Sequence, residues 1–313
     1  DEVTYWAYAT GWRIVRALPE RQAYAMFDRF ADLAWRRRGG GVQQLEKNLR
    51  RVLPDATDSE IREVSHEGMR SYLRYWCDAF RLPSWTPEEI THRHRAINAH
   101  YLQDALDAGD GVVFAVPHAG NYDLTGAWAS IHFAQVISVA ERLRPERLYE
   151  EFLDFRRALG MKILPHAGAE GVFDELVELV RGNGLLALLA DRDLSRHGVQ
   201  VEFFGEPAKM PIGPAAISLL TGAPLLACSL YYEGPRAHVH VFPPVERPAG
   251  DWTRADRFDD DFIEAAHAFT QSMAVRLEEG ISAHPGHWHM LQPVFLADLD
   301  PRRARIAPVE IVQ

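Results

Sequence analysis

An α/β fold with a helical front is predicted by three observations. Up to residue 110 the apolar residues recur at helical spacing between capping signals, whereas from residue 111 short apolar, β-branched runs alternate with amphipathic segments of helix length. One of those runs, Val112 to Val116, is apolar at every position and stops at Pro117, as a strand covered on both faces does where its ladder ends. The prediction is a helical N-terminal region followed by a mostly parallel central sheet flanked by helices, a single domain over residues 1–313. Its parts are a helical front over 1–110, an α/β core over 111–296 and a C-terminal tail over 297–313. No repeat, low-complexity tract or linker divides it.

Val3 to Leu18 reads as a short apolar helix with Arg13 and Arg16 set among aromatic rings, closed by Pro19. Such a helix either lies in a lipid interface or packs on the fold. Ala23 to Arg38 follows, with Phe27, Phe30 and Leu33 on one face. It ends in three arginines and three glycines, a basic last turn with a glycine stop. Val42 to Leu53 is the next helix. Thr57 and Glu60 have capping-box spacing and open a long helix over Asp58 to Leu82, whose apolar face includes Ile61, Val64, Met69, Leu73, Trp76 and Phe80. Thr86-Pro87 starts a short helix, and Tyr101 to Ala108 is another.

Strands are predicted over Val112 to Val116, Gln135 to Ala140, Met161 to Pro165, Leu185 to Ala190, Gln200 to Phe204, Pro224 to Tyr232 and Ala237 to Phe242. Helices are predicted over Asp123 to His132, Pro145 to Leu159, Glu170 to Arg181, Gly213 to Thr221 and Asp259 to His284.

Net charge is −10, unevenly spread: the first 83 residues carry 14 Lys and Arg against 12 Asp and Glu, the remainder 20 against 32. That balance speaks against non-specific nucleic-acid binding, and leaves the mildly basic front able to rest on an anionic surface. Cys77 and Cys228 belong to no Cys/His pattern and read as small buried residues in a reducing compartment. The longest apolar run, Leu185 to Ala190, falls far short of the ~20 residues of a spanning helix, so the chain is expected to be soluble or peripheral.

His118 closes the Val112 to Val116 strand at its carboxyl end, where open α/β sheets bind ligands. Gly120-Asn121 lets the chain turn into a helix, and that turn can return the Asp123 carboxylate to the imidazole. A carboxylate on Nδ1–H leaves Nε2 free to accept a proton, the orienting logic of a serine-hydrolase triad. No Gly-x-Ser-x-Gly elbow occurs, so the proton would come from a substrate hydroxyl. The other reading of the pair is a structural strand-end histidine.

Further blocks resolve the choice. His118-Ala-Gly-Asn-Tyr-Asp123 resembles the H-x4-D box of glycerolipid acyltransferases, in the branch of the bacterial lipid A late acyltransferases. Leu188-Leu-Ala-Asp191-Arg-Asp193, the Gly198 to Gly205 run and Met210 to Ala216 resemble that branch's downstream signature. The runs Val139 to Pro145 and Trp288 to Pro293 narrow the likeness to actinobacterial phosphatidylinositol mannoside acyltransferases.

The resemblance covers nearly the whole chain. It implies an O-acyltransferase at the cytoplasmic face of the membrane, peripheral, using acyl-CoA as co-substrate, without a cofactor, and a glycolipid acceptor. His118 would be the base and Asp123 its orienter, and Glu141 and Asp191 would border the site. Asp191 stands where the family has glutamate, one methylene longer. Asn121, Arg144, Arg156 and Arg192 are substrate-binding candidates, the arginines because a guanidinium grips phosphate bidentately. Trp128, Phe203 and Phe204 are candidate walls of an acyl channel, with ordinary core packing as the alternative.

Oxyanion donors are expected from backbone N–H groups after His118 or near Gly205 and Gly213. Another glycolipid acceptor or an acyl carrier protein donor would keep the chemistry; a lipid-binding module without catalysis would not need the pair. His284, His287 and His289 lack a carboxylate at ligand spacing and read as capping or solvated, with no metal.

Overall fold

The computed structural model describes residues 15–140, 146–165, 171–193 and 198–300. The front consists of α1 (Glu20–Arg37), α2 (Gly40–Val52), α3 (Asp58–Arg81) and α4 (Pro87–Arg93). Both capping boxes form: the Thr57 hydroxyl accepts from the Glu60 amide while Glu60 accepts from the Thr57 amide, and Thr86 with Glu89 repeats the arrangement. Each such cap stabilises its helix start by about 1 kcal/mol. The aromatic helix predicted over Val3 to Leu18 lies outside the described residues except for 15–18, of which Val15 packs with Ala23, Phe27 and Cys77.

The body alternates strands and helices: β1 (His94–Ile97), α5 (His100–Ala108), β2 (Val112–Val116), α6 (Tyr122–His132), β3 (Val136–Ala140), α7 (Glu146–Ala158), β4 (Lys162–Pro165), α8 (Val172–Arg181) and β5 (Leu185–Leu189). The hairpin β6 (Val199–Phe203) and β7 (Glu206–Met210) follows, then α9 (Gly213–Thr221), β8 (Leu225–Glu233), β9 (Arg236–Val241) and α10 (Asp260–Ala283). Seven strands form one sheet in the order β1-β9-β8-β2-β5-β3-β4; only β8 with β9 is antiparallel. All five residues of β2 are buried, as a strand covered by helices on both faces requires.

Two strands depart from the sequence reading. β1 lies inside the front taken as all-helical; its polar run His94-Arg-Ala-Ile97 carries no apolar alternation, and it forms because it pairs with β9 at the sheet edge. β7 contains Pro207, which argues against a strand, yet it closes a two-residue hairpin through Phe204 and Gly205, both at positive φ.

The α3 face is rotated from the one predicted. Ser71, Tyr75 and Asp78 are buried, while Val64, Leu73, Trp76 and Phe80 are half-buried. A polar stripe of α3 therefore meets the body, and that stripe reaches the site.

Candidate active site

Strands β2 and β5 run parallel with Val116 opposite Leu189, so the residues two positions beyond each, His118 and Asp191, come side by side at the sheet's carboxyl edge. Ala190 N–H still donates to the Val116 carbonyl. One step on, the Asp191 side chain takes over the ladder: Oδ2 accepts the His118 backbone N–H at 2.9 Å, and Oδ1 accepts His118 Nδ1–H at 2.5 Å. Trp288 Nε1–H donates to Oδ2 at 2.8 Å. Asp191 is fully buried, whereas the His118 side chain is 25% exposed. Burial alone would push the Asp191 carboxyl up; the adjoining His118 ring and these hydrogen bonds outweigh it and hold the carboxyl below its ordinary value. With Nδ1 held, Nε2 is the nitrogen left to meet a substrate.

The segment after α10 fixes the histidine's backbone. Trp288 bridges Ala119, and His289 N–H donates to the His118 carbonyl at 2.7 Å. Gly120 has φ of 51°, and a Cβ there would lie 2.7 Å from the Leu230 carbonyl carbon and the Tyr231 nitrogen, so only glycine fits this turn. Ala119 N–H donates to Pro117 O, and Gly120 N–H to His287 O. Neither amide is therefore spare for the oxyanion role expected of the turn.

Asp123 does not return to the imidazole. Asn121 caps α6, its side chain accepting from Leu124 N–H, which makes Asp123 the second helical residue and turns its carboxylate toward α3 and α7. There Oδ2 accepts from the Tyr75 hydroxyl at 2.8 Å and Oδ1 from Arg156 Nε at 2.9 Å. Arg156, a phosphate candidate in the sequence, is thus largely buried and bound to Asp123.

Asn121 is likewise buried: its amide donates to Asp78 and to the Tyr232 hydroxyl, both at 3.1 Å. Burial pushes the Asp78 carboxyl up, while the nearby Arg74 and the hydroxyls of Tyr24 and Tyr232 work against that. Asp191, its shorter side chain notwithstanding, reaches His118. Arg192 follows it, half-buried. Glu141 and Arg144 lie outside the described residues.

A cavity of about 70 Å³ lies between α6 and the sheet face, lined by Tyr122, Asp123 and Arg156 and by apolar side chains of β2, β3 and β5. None of the three expected channel residues lines this cavity. Trp128 stacks on His94 at 4.5 Å, Phe203 is buried against Phe295 and Trp288, and Phe204 sits in the hairpin turn against Phe203 and Trp288.

Tyr75, Asp78, Tyr232 and Trp288's bond to Asp191 escaped the sequence reading; the spacing of Ser71, Tyr75 and Asp78, one polar face of α3, is the signal that held the first two. The histidines taken as capping or solvated are packed: Ser71 Oγ lies 2.8 Å from His287 Nδ1 and 2.9 Å from His289 Nε2, and His284 stacks on Tyr231.

Fold and site together define an α/β protein with a carboxylate-held histidine at the strand ends. The chain belongs to the bacterial lipid A biosynthesis acyltransferase family, whose profile matches residues 1–297; it is an acyltransferase. Among its relatives is a phosphatidylinositol mannoside acyltransferase of Mycolicibacterium smegmatis, 40% identical over 307 residues, which span 97% of this chain and 96% of the relative. Proteins of the same name from two strains of Mycobacterium tuberculosis are 43% identical over 310 residues, 97% of this chain and 92% of theirs.

Proposed function

We propose that this protein moves a fatty acyl group from acyl-CoA to a sugar hydroxyl of a phosphatidylinositol mannoside, with His118 as general base and Asp191 as its orienter. The observation that carries the reading is the His118–Asp191 pair at the sheet's carboxyl edge, with Nδ1 engaged at 2.5 Å and the ring partly exposed. The near-full-length likeness to relatives named for that lipid supplies the acceptor.

In this mechanism His118 Nε2 removes the hydroxyl proton as the oxygen attacks the thioester carbon. Asp191 stabilises the imidazolium so formed. The tetrahedral adduct expels CoA as its thiolate, which takes the proton from His118, and no enzyme-bound acyl group is formed. General-base removal of the proton is worth about 10²–10⁴-fold. Asp123 acts at one remove, tying the first turn of α6 to Tyr75 and Arg156 and so fixing the turn that carries His118. The acyl chain is assigned to the apolar cavity under α6, whose lining includes Tyr122 and Asp123.

Membrane contact is assigned to α1, where Phe30 and Leu33 are 50% and 45% exposed beside the exposed Arg29, Arg36 and Arg37. No helix among the described residues is long and apolar enough to cross a membrane.

The test is His118→Ala, assayed with palmitoyl-CoA and purified phosphatidylinositol mannoside beside phosphatidylinositol lacking mannose. Acylation of the mannosylated lipid alone, falling about 10²–10⁴-fold in the variant, is the expected result. Near wild-type transfer by a folded His118→Ala protein would refute the mechanism.

A further inference from the structure

We propose that Gly126 and Met161 together set the length of acyl chain this protein accepts; the proposal rests on the reading of the cavity as the acyl site. Tyr122, Gly126 and Ala129 of α6 all line the cavity, and they fall on one helix face at successive turns, starting from the helix's first residue. The sheet side runs the same way, from Val116 and Leu189 at the carboxyl edge to Val136 and Leu185 at the far end. Gly126 lies at the middle turn.

Glycine inside a helix is less favourable than alanine, and Gly126 has no positive φ to require it. Its neighbour explains its presence. A Cβ at Gly126 would stand 2.5 Å from Met161 Cε and 3.3 Å from Sδ, so the methionine's tip rests on the bare backbone of α6. Met161 is buried, precedes edge strand β4 and also lines the cavity.

The open space of about 70 Å³ is under half of the ~150 Å³ in which an apolar cavity takes up benzene. Because the Met161 tip stands against the Gly126 turn, a chain entering from the Tyr122 end meets the thioether before it reaches Ala129, Val136 and Leu185. Methionine is unbranched, with three rotatable bonds, and can swing aside. Gly126 has nothing to move, so the stop is adjustable from the methionine side alone.

The test measures acyl-CoA binding and kcat/KM for lauroyl-, myristoyl-, palmitoyl-, stearoyl- and arachidoyl-CoA, with thermal unfolding as a check on folding. Gly126→Ala drives the Met161 tip into the channel and should move the preference to shorter chains. Each buried methylene lost costs about fourfold, hence roughly tenfold or more against a chain two carbons too long. Met161→Ala should move the preference to longer chains. In Gly126→Ala/Met161→Ala the shift caused by the added methyl should vanish, because the group it displaced is gone. Unchanged length profiles in the folded single variants would overturn the proposal, as would a Gly126→Ala shift that survives the loss of Met161. A wild type that acylates no mannosylated phosphatidylinositol would instead defeat the functional reading, and the binding series would still decide the length proposal.

Discussion

Two buried aspartates flank the turn after His118, and their partners assign them different work. Asp191 spends both oxygens on His118 and Trp288. Asp123 spends its own on Tyr75 and Arg156. In the proposed mechanism Asp191→Asn takes away the anion that selects the Nδ1–H tautomer and stabilises the imidazolium, so kcat should fall about 10²–10⁴-fold with little change in acceptor KM. Asp123→Asn leaves the largely buried Arg156 guanidinium without its counter-charge, at a cost of about 3–5 kcal/mol. It should therefore appear first in thermal unfolding. Steady-state kinetics and melting of the two variants decide the matter; an active Asp191→Asn, or an Asp123→Asn of native stability and lost kcat, would reverse the assignments. The sequence placed Asp123 by His118 because the two are five residues apart, but the Asn121 cap fixes where the helix starts and turns that carboxylate away. Asp191 is distant in sequence, and only the register of β2 on β5 brings it in.

At the scale of elements, the long amphipathic helices and the apolar strands β2, β5 and β8 were legible because one physical signal, periodicity or a continuous apolar run, covers each of them. β1 and β7 were not: four or five residues with histidine, arginine or proline among them become strands only when a partner supplies the ladder. The rotation of α3 was missed for the converse reason, since aromatic residues half-buried at its edges outweigh the smaller polar residues that face the body. α1 carries a prediction of its own. Its outward face sets Phe30 and Leu33 among Arg29, Arg36 and Arg37, a surface suited to anionic lipid. Phe30→Glu with Leu33→Glu should weaken sedimentation with vesicles containing anionic phospholipid, while leaving melting and turnover of detergent-dispersed substrate near the wild type. Undiminished sedimentation would take α1 out of the membrane contact.

Across the whole molecule, the front is joined to the body by a seam of polar side chains rather than by apolar packing alone. Ser71 of α3 meets His287 and His289, Tyr75 meets Asp123, and Asp78 meets Tyr232 and Asn121. The seam makes stability depend on pH. Burial is the leading cause that lowers His287 from 6.5 to about 4 and His289 well below its ordinary value; elsewhere it lowers His94, stacked on Trp128, to about 3. The unfolded chain protonates these histidines near 6.5 and the folded chain does not, so between about 6.5 and 4 the unfolded state binds more protons. Stability is therefore fully present above that window and falls as pH falls through it, by up to about 1.4 kcal/mol per unit for each histidine. Asp78 and Glu278, their carboxyls pushed up by burial, work in the opposite direction, while His238 and His284, also lowered by burial, act with the three. The urea midpoint should accordingly drop between pH ~7 and ~5, and amide exchange in α3 should accelerate before that in β2, because two of the three histidines sit at the α3 seam. A midpoint equal or higher at pH ~5, or α3 amides that hold as long as those of β2, would mean that the seam does not govern how the two parts stay together.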